Sequence, residues 1–159
     1  MSCDWRFLLN FLSLSRYAWE ERKLGELSNI VGGGTQSTSN PEYWDGDIDW
    51  YAPAEIGEQS YVCKSERTIT ELGLKKSSAR ILPVGTVLFT SRAGIENTAI
   101  LAKEDTTNQG LQSIVPDQNK LDSYFIFSRT NELKRSEEAP DDHETLLNTK
   151  VTHVSSCQK

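Results

Sequence analysis

Cysteine, histidine and long apolar runs are all scarce in this 159-residue chain, and each shortage closes off a class of function. The three cysteines, Cys3, Cys63 and Cys157, are odd in number, far apart and form no CxxC pair. They outline neither a disulfide framework nor a thiolate zinc site, and they suit a reducing cytoplasm. Both histidines, His143 and His153, fall in the last 17 residues, the least core-like part of the chain. Nucleophilic catalysis needs an imidazole held rigidly beside its partner, and a structural zinc needs several N or S ligands close in space, so neither is expected. No apolar run reaches the roughly 18 residues of a membrane-spanning helix. The best one, Phe7 to Leu14, is broken by Asn10. A secretory leader is not expected either, because Asp4 weakens the positive n-region and no Ala-x-Ala site follows. Basic charge is short as well: 17 Lys and Arg face 23 Asp and Glu, a net of −6 that on its face argues against nucleic acid.

What remains is an ordinary globular composition, 36% hydrophobic and 25% charged, enough for one self-sufficient core and too short for two. Residues 1–18 read as an apolar, Ser-containing leader. Residues 19–128 alternate short apolar runs with Gly, Pro, Asn and Ser. Residues 129–159 are mostly polar, with only Leu133, Leu146, Leu147, Val151 and Val154 as large apolar side chains. No stripe at helical spacing continues there, so a poorly ordered C-terminal tail is expected beyond about Arg135. In the middle, Ile30-Val31, Ile48 to Tyr51, Thr86 to Thr90, Thr98 to Leu101 and Leu111 to Val115 read as short strands rich in β-branched and aromatic residues. Turn residues separate them: Gly32-Gly33-Gly34, Asp45-Gly46, Pro83-Val84-Gly85, Ala93-Gly94 and Asn108-Gln109-Gly110. Helix signals are few, one around Leu24 to Asn29 and one from Ser123 to Arg135 after a Ser cap. The fold expected is a β-rich α+β domain with long loops and few short helices.

Three patterns invite a chemical reading and fail on their partners. Gly32-Gly33-Gly34-Thr35 resembles a phosphate loop but lacks Gly-Lys-Ser/Thr, the G-x-G-x-x-G spacing and a following helix, so a flexible turn is favoured. Asp45, Asp47 and Asp49 match the first alternate positions of a calcium loop, yet Trp50 stands where Gly is needed and Ile56 where Glu is needed. Asp117 followed by Glu132-Leu133-Lys134 has the spacing of a PD-(D/E)xK magnesium nuclease, in which two carboxylates hold the metal and a lysine assists the attacking water. That chemistry places the second carboxylate and the lysine on a strand, whereas Thr130 to Arg135 reads as helix. It stays as the runner-up, and no cofactor, metal or catalytic residue is expected.

The distribution of charge is more informative than its sum. Glu20 to Gln59 carries nine acidic and two basic residues, a net of −7. Ser60 to Lys103 carries Lys64, Arg67, Lys75, Lys76, Arg80, Arg92 and Lys103 against Glu66, Glu71 and Glu96, a net of +4. A cluster of that kind can neutralise several phosphates while the rest of the surface stays acidic.

The order of several segments then resembles the target-recognition domain of the specificity subunit of type I restriction-modification systems. The segments are Trp19 to Leu27, Gly34-Thr35-Gln36-Ser37 where the family often has Gly-Thr-Pro-Ser, and Tyr43-Trp44-Asp45-Gly46-Asp47-Ile48-Asp49-Trp50. They continue with Thr68-Ile69-Thr70 and Gly73, Ser78 to Leu88, Ser91-Arg92-Ala93-Gly94, and Thr107-Asn108-Gln109-Gly110. The resemblance runs from about Trp19 to Arg135. It implies a non-catalytic α+β reader that presents loops to the major groove of one half of a bipartite DNA target. Methyl transfer and cleavage would belong to partner modification and restriction subunits, with a second specificity half-subunit as a further partner and the cytoplasm as the compartment. Residues 19–135 would be the recognition domain and 136–159 a tail without the family's long helix, so a truncated subunit, or a remnant that binds no DNA, is an expectation too. By residue type, Lys64, Lys75, Lys76, Arg80 and Arg92 suit phosphates, and Gln36, Ser37, Asn40 and Gln59 suit base edges. Trp44 and Trp50 read as core aromatics, and Asn108-Gln109 as turn amides that satisfy backbone groups.

Overall fold

The computed structural model describes residues 17–90, 97–133 and 150–156. Its elements in chain order are β1 (Tyr17–Lys23), α1 (Leu24–Leu27), β2 (Ser28–Gly32), a 3-10 turn (Pro41–Tyr43), β3 (Trp44–Tyr51), a second such turn (Pro53–Glu55), β4 (Tyr61–Val62) and β5 (Thr68–Ile69). There follow α2 (Glu71–Lys75), β6 (Val87–Thr90), β7 (Thr98–Leu101), β8 (Thr106–Thr107), β9 (Leu111–Pro116), α3 (Ser123–Leu133) and β10 (Lys150–Ser156). The expected β-rich α+β class is what forms.

The central sheet has five strands in the order β2-β9-β6-β7-β4, antiparallel except where β4 runs parallel to β7. Its register aligns Ile30 with Ile114, Ile114 with Val87 and Val87 with Ile100, a row of branched side chains across one face. Leu24 and Leu27 of α1 cover that row, together with Leu121 and Ile126 from the α3 region. The opposite face, with Val62, Leu88, Ala99, Leu101 and Leu111, packs on Tyr51, Ile56 and Leu82. Because both faces are covered, every residue of β6 and β7 is buried and the two strands read in sequence as continuous runs without alternation.

A second sheet, β5-β3-β8, lies over that opposite face. β3 pairs antiparallel with β5, with a bulge between Trp44 and Ile48, and parallel with β8 through Trp50 to Thr106 and Tyr51 to Thr107. Trp44, Trp50 and Ile69 form its own small core. A separate ladder joins β1 to β10, from Tyr17 opposite Ser156 to Lys23 opposite Lys150. Thus a strand from the stretch read as tail pairs with the start of the domain, a pairing that no sequence signal announced.

Two local readings change. The cap of α3 is Asp122, whose Oδ1 accepts the Phe125 N–H at 3.0 Å. Ser123, expected as the cap, instead donates its hydroxyl to the Gly85 carbonyl at 2.6 Å. The Gly32-Gly33-Gly34 turn is also packed where freedom was expected. A Cβ on Gly33 would sit 2.0 Å from the Asn108 carbonyl oxygen, and one on Gly34 2.1 Å from the Ala79 backbone nitrogen. These glycines are required by close backbone approach, since neither neighbour can retract as a side chain would. Gly32 has open space, with nothing within 4 Å of its would-be Cβ. Gly33→Ala is therefore expected to lower stability by about 1–3 kcal/mol, as overpacking against backbone does, while Gly32→Ala stays within about 0.5 kcal/mol of the parent. Thermal unfolding of the two variants side by side checks this, and equal melting temperatures would contradict it.

Candidate nucleic-acid interface

The loop that follows β2 is held by two tryptophans. Trp44 and Trp50 meet edge to face, with ring centroids 5.1 Å apart and planes at 87°, an arrangement that matches the positive edge of one ring to the negative face of the other. As expected, both are buried. Each indole N–H then needs an acceptor, and the loop backbone supplies them: Trp50 Nε1–H donates to the Gly34 carbonyl at 2.9 Å and Trp44 Nε1–H to the Ser37 carbonyl at 3.2 Å. Between these anchors Gln36 turns inward, 2% exposed, and its Nε2 donates to Ser77 Oγ at 3.3 Å.

The far end of the loop is tied by short polar contacts. Asn40 Oδ1 accepts the Glu42 N–H at 3.1 Å and opens the first 3-10 turn. Thr70 then links that turn to α2, donating its hydroxyl to the Glu42 carbonyl at 2.8 Å and accepting the Gly73 N–H at 3.1 Å as the helix cap. Gln36 to Ser77, and Gly34 against Ser78 and Ala79, close the circuit. The 34–40 loop and the segment from Lys75 to Arg80 therefore form one surface. Lys75, Lys76 and Arg80 are exposed on it. Lys75 spans 3.6 Å to Glu71, an exposed pair worth little. A groove of about 370 Å³, lined by Asn29 to Gly33 with Ser78 and Arg80, runs beside the free edge of β2.

A buried carboxylate supports the second sheet beneath this surface. Asp49 Oδ1 accepts both the N–H and the hydroxyl of Ser65 at 2.8 Å, and its Oδ2 pairs with the Lys103 ammonium. Burial pushes the Asp49 carboxyl up, but Lys103 and the Ser65 donors outweigh it and hold it below the usual carboxylate range. Asp105, 3.7 Å from the same ammonium, has less relief. Its burial dominates, the Asp49 charge adds to it, and its pKa rises to about 6.

Of the residues nominated from sequence, Ser37, Asn40, Lys75, Lys76 and Arg80 come together on this surface, and Gln36 lies under it. Gln59 and Lys64 are exposed on the segment around β4, the edge of the central sheet opposite β2. Arg92 lies outside the described residues. Asn108 behaves as the turn amide expected, accepting the Gly110 N–H at 2.7 Å and donating to Thr35 Oγ1 at 3.2 Å. The nuclease arrangement is not what forms: Glu132 sits on α3, Asp117 is paired with Lys120 at 2.8 Å, and Lys134 lies outside the described residues. Sequence reasoning passed over Arg67, whose guanidinium carbon lies 3.7 Å from the Trp44 ring centroid. Its only signal was a basic residue just before β5, 17 positions after Trp50 and 23 after Trp44, both aromatics read as core.

The family model described as type I restriction modification DNA specificity domain matches residues 17–150. The chain belongs to this family. It is 40% identical over 111 residues to the type I restriction enzyme MjaIX specificity subunit of Methanocaldococcus jannaschii, covering 69% of this chain and 26% of that protein. It is 31% identical over 133 residues to the EcoR124I/EcoR124II specificity subunit of Escherichia coli, covering 79% and 33%. The fold is shared with the HsdS subunit from Thermoanaerobacter tengcongensis, at a TM-score of 0.64 and 17% identity over 92% of this chain and 38% of that one. The S subunit from M. genitalium gives 0.61 and 18% over 96% and 39%. The chain thus spans between a quarter and a third of the curated relatives named.

In this DNA specificity domain the two carboxyls give stability opposite dependences on pH. Asp105 binds its proton more tightly folded than unfolded, so its contribution is complete below the unfolded value and is lost as pH rises through about 6. Asp49 contributes above its unfolded value and loses that contribution as pH falls through its lower folded one. Asp105→Asn removes the first dependence. Relative to the parent, the variant should gain stability between about pH 4 and pH 7, by on the order of 3 kcal/mol. Melting temperatures across that range test it, and a difference that is flat in pH would contradict the assignment.

Proposed function

We propose that the chain is a sequence-specific DNA-recognition module of a type I restriction-modification system that reads one half of a bipartite target and carries no catalysis of its own. Residues 19–135 are the recognition domain in this reading, and from the stretch 136–159 the strand β10 pairs back onto β1. The modification and restriction subunits, which would supply methyl transfer and cleavage in the cytoplasm, are the partners, together with a second specificity half. Family membership supports the class of function. The observation that carries the site is the union of the 34–40 loop with the Lys75 to Arg80 segment through Gln36 and Ser77.

That surface has the two kinds of group DNA reading needs. Lys75, Lys76 and Arg80 are flexible exposed cations suited to phosphate oxygens, which set register without reading sequence. Ser37 and Asn40 offer hydroxyl and amide groups on a loop whose backbone is pinned, and an amide of this kind can bond adenine through two hydrogen bonds in the major groove. Gln36 serves as the tie that holds the loop to the segment after α2.

Selection from a random duplex library with the purified chain tests this. Enrichment of a short sequence with salt-sensitive affinity is expected. Replacing Lys75 and Lys76 together by Ala should lower the salt slope by about two units, one per phosphate contact, and leave the enriched sequence unchanged. Absence of any salt-sensitive, sequence-selective binding would overturn the proposal for this chain.

A further inference from the structure

We propose that Arg67 is a specificity-determining residue that reads a guanine in the target, its guanidinium held over the Trp44 ring; the proposal rests on the DNA-reading function above. The guanidinium carbon is 3.7 Å from the Trp44 centroid and 5.6 Å from that of Trp50. Both rings are immobilised by their mutual contact and by their bonds to the Gly34 and Ser37 carbonyls. The Arg67 backbone is fixed as well. Its carbonyl accepts the Trp50 N–H at 3.0 Å and lies against the Ser65 hydroxyl oxygen, and Ser65 is in turn bound to buried Asp49 through its own N–H. An exposed arginine ordinarily has large rotamer freedom to lose on binding, and here the cation–π contact has removed much of it beforehand.

A cation–π contact takes up none of the guanidinium's N–H donors in a hydrogen bond and leaves that edge open. Among the described residues that edge makes no ion pair or hydrogen bond. Two parallel donors at a fixed plane match the O6 and N7 acceptors that only guanine shows together in the major groove. A phosphate contact needs no fixed plane, and the neighbouring Lys75 and Lys76 already suit it. The ring that carries Arg67 also holds the Ser37 carbonyl, so Arg67 and the loop would address adjacent positions of one target. The nearby Asp45 and Asp47 are exposed and form no ion pair with it.

The experiment is library selection with the parent chain, Arg67→Ala and Arg67→Lys, each with its melting temperature recorded. Lysine keeps the charge and can still stack, so it guards against a loss that is merely structural. The expected result is a guanine in the parent's enriched sequence whose preference drops about tenfold or more in both variants, while the other positions persist. If Arg67→Lys keeps the parent's sequence, with or without an affinity change in Arg67→Ala, Arg67 reads no base and the inference falls alone. If the parent enriches nothing, the DNA-reading function falls first and takes this inference with it.

Discussion

Two indole N–H groups bonded to two backbone carbonyls hold the candidate interface in place. Trp44 and Trp50 are buried because their rings form most of the small core of the second sheet. A buried indole must still find an acceptor, since an unpaired N–H away from water costs about 1–3 kcal/mol. Only the loop after β2 supplies acceptors to these two rings, at Gly34 and Ser37. Core formation and loop placement are therefore one event. The glycines make it sterically feasible, Gln36 extends it to Ser77 after α2, and Arg67 rests on the ring it fixes.

The cost of this arrangement lies in buried charge. Asp49 and Asp105 share one ammonium, Lys103, and only Asp49 has donors enough to stay comfortably ionised. Asp105 keeps an unpartnered oxygen and an elevated pKa. Such a network is weak evidence of stability, because a well-packed apolar replacement often does as well. What it fixes here is position: Asp49 orients Ser65, and Ser65 meets the carbonyl of Arg67 and the N–H of Trp50.

The central strands were legible in sequence because β6 and β7 are short, mostly apolar runs between turn signals, buried on both faces, and β9 sets Leu111, Ile114 and Val115 just after the Asn108-Gln109-Gly110 turn. The short strands β4, β5 and β8, two residues each, and the five-residue α2 with glycine at its centre carry too little periodicity to announce themselves. The β1 to β10 ladder joins segments more than a hundred positions apart, and no local pattern encodes such a pairing. Residue type nominated Lys75, Lys76, Arg80, Ser37 and Asn40, since solvated cations and loop polars are visible as such, and these five lie on the candidate surface. It erred on the surroundings of Gln36, which the tertiary contacts turn inward. It missed Arg67, whose interest arises only from the ring beneath it.

The net charge of −6 pointed away from nucleic acid because it averages over a surface that is not uniform. In the proposed reading, an acidic chain would meet DNA through the exposed cations around Lys75 to Arg80, with affinity limited by the repulsion of the rest. The central claim is thus spatial: the 34–40 loop and the Arg67 to Arg80 segment form one DNA-facing surface. Amide hydrogen exchange, with and without an enriched duplex, tests it most directly. Slowed exchange in both segments together is the predicted result. Protection confined to α3 and the β1 to β10 ladder, with these two segments unchanged, would contradict the account.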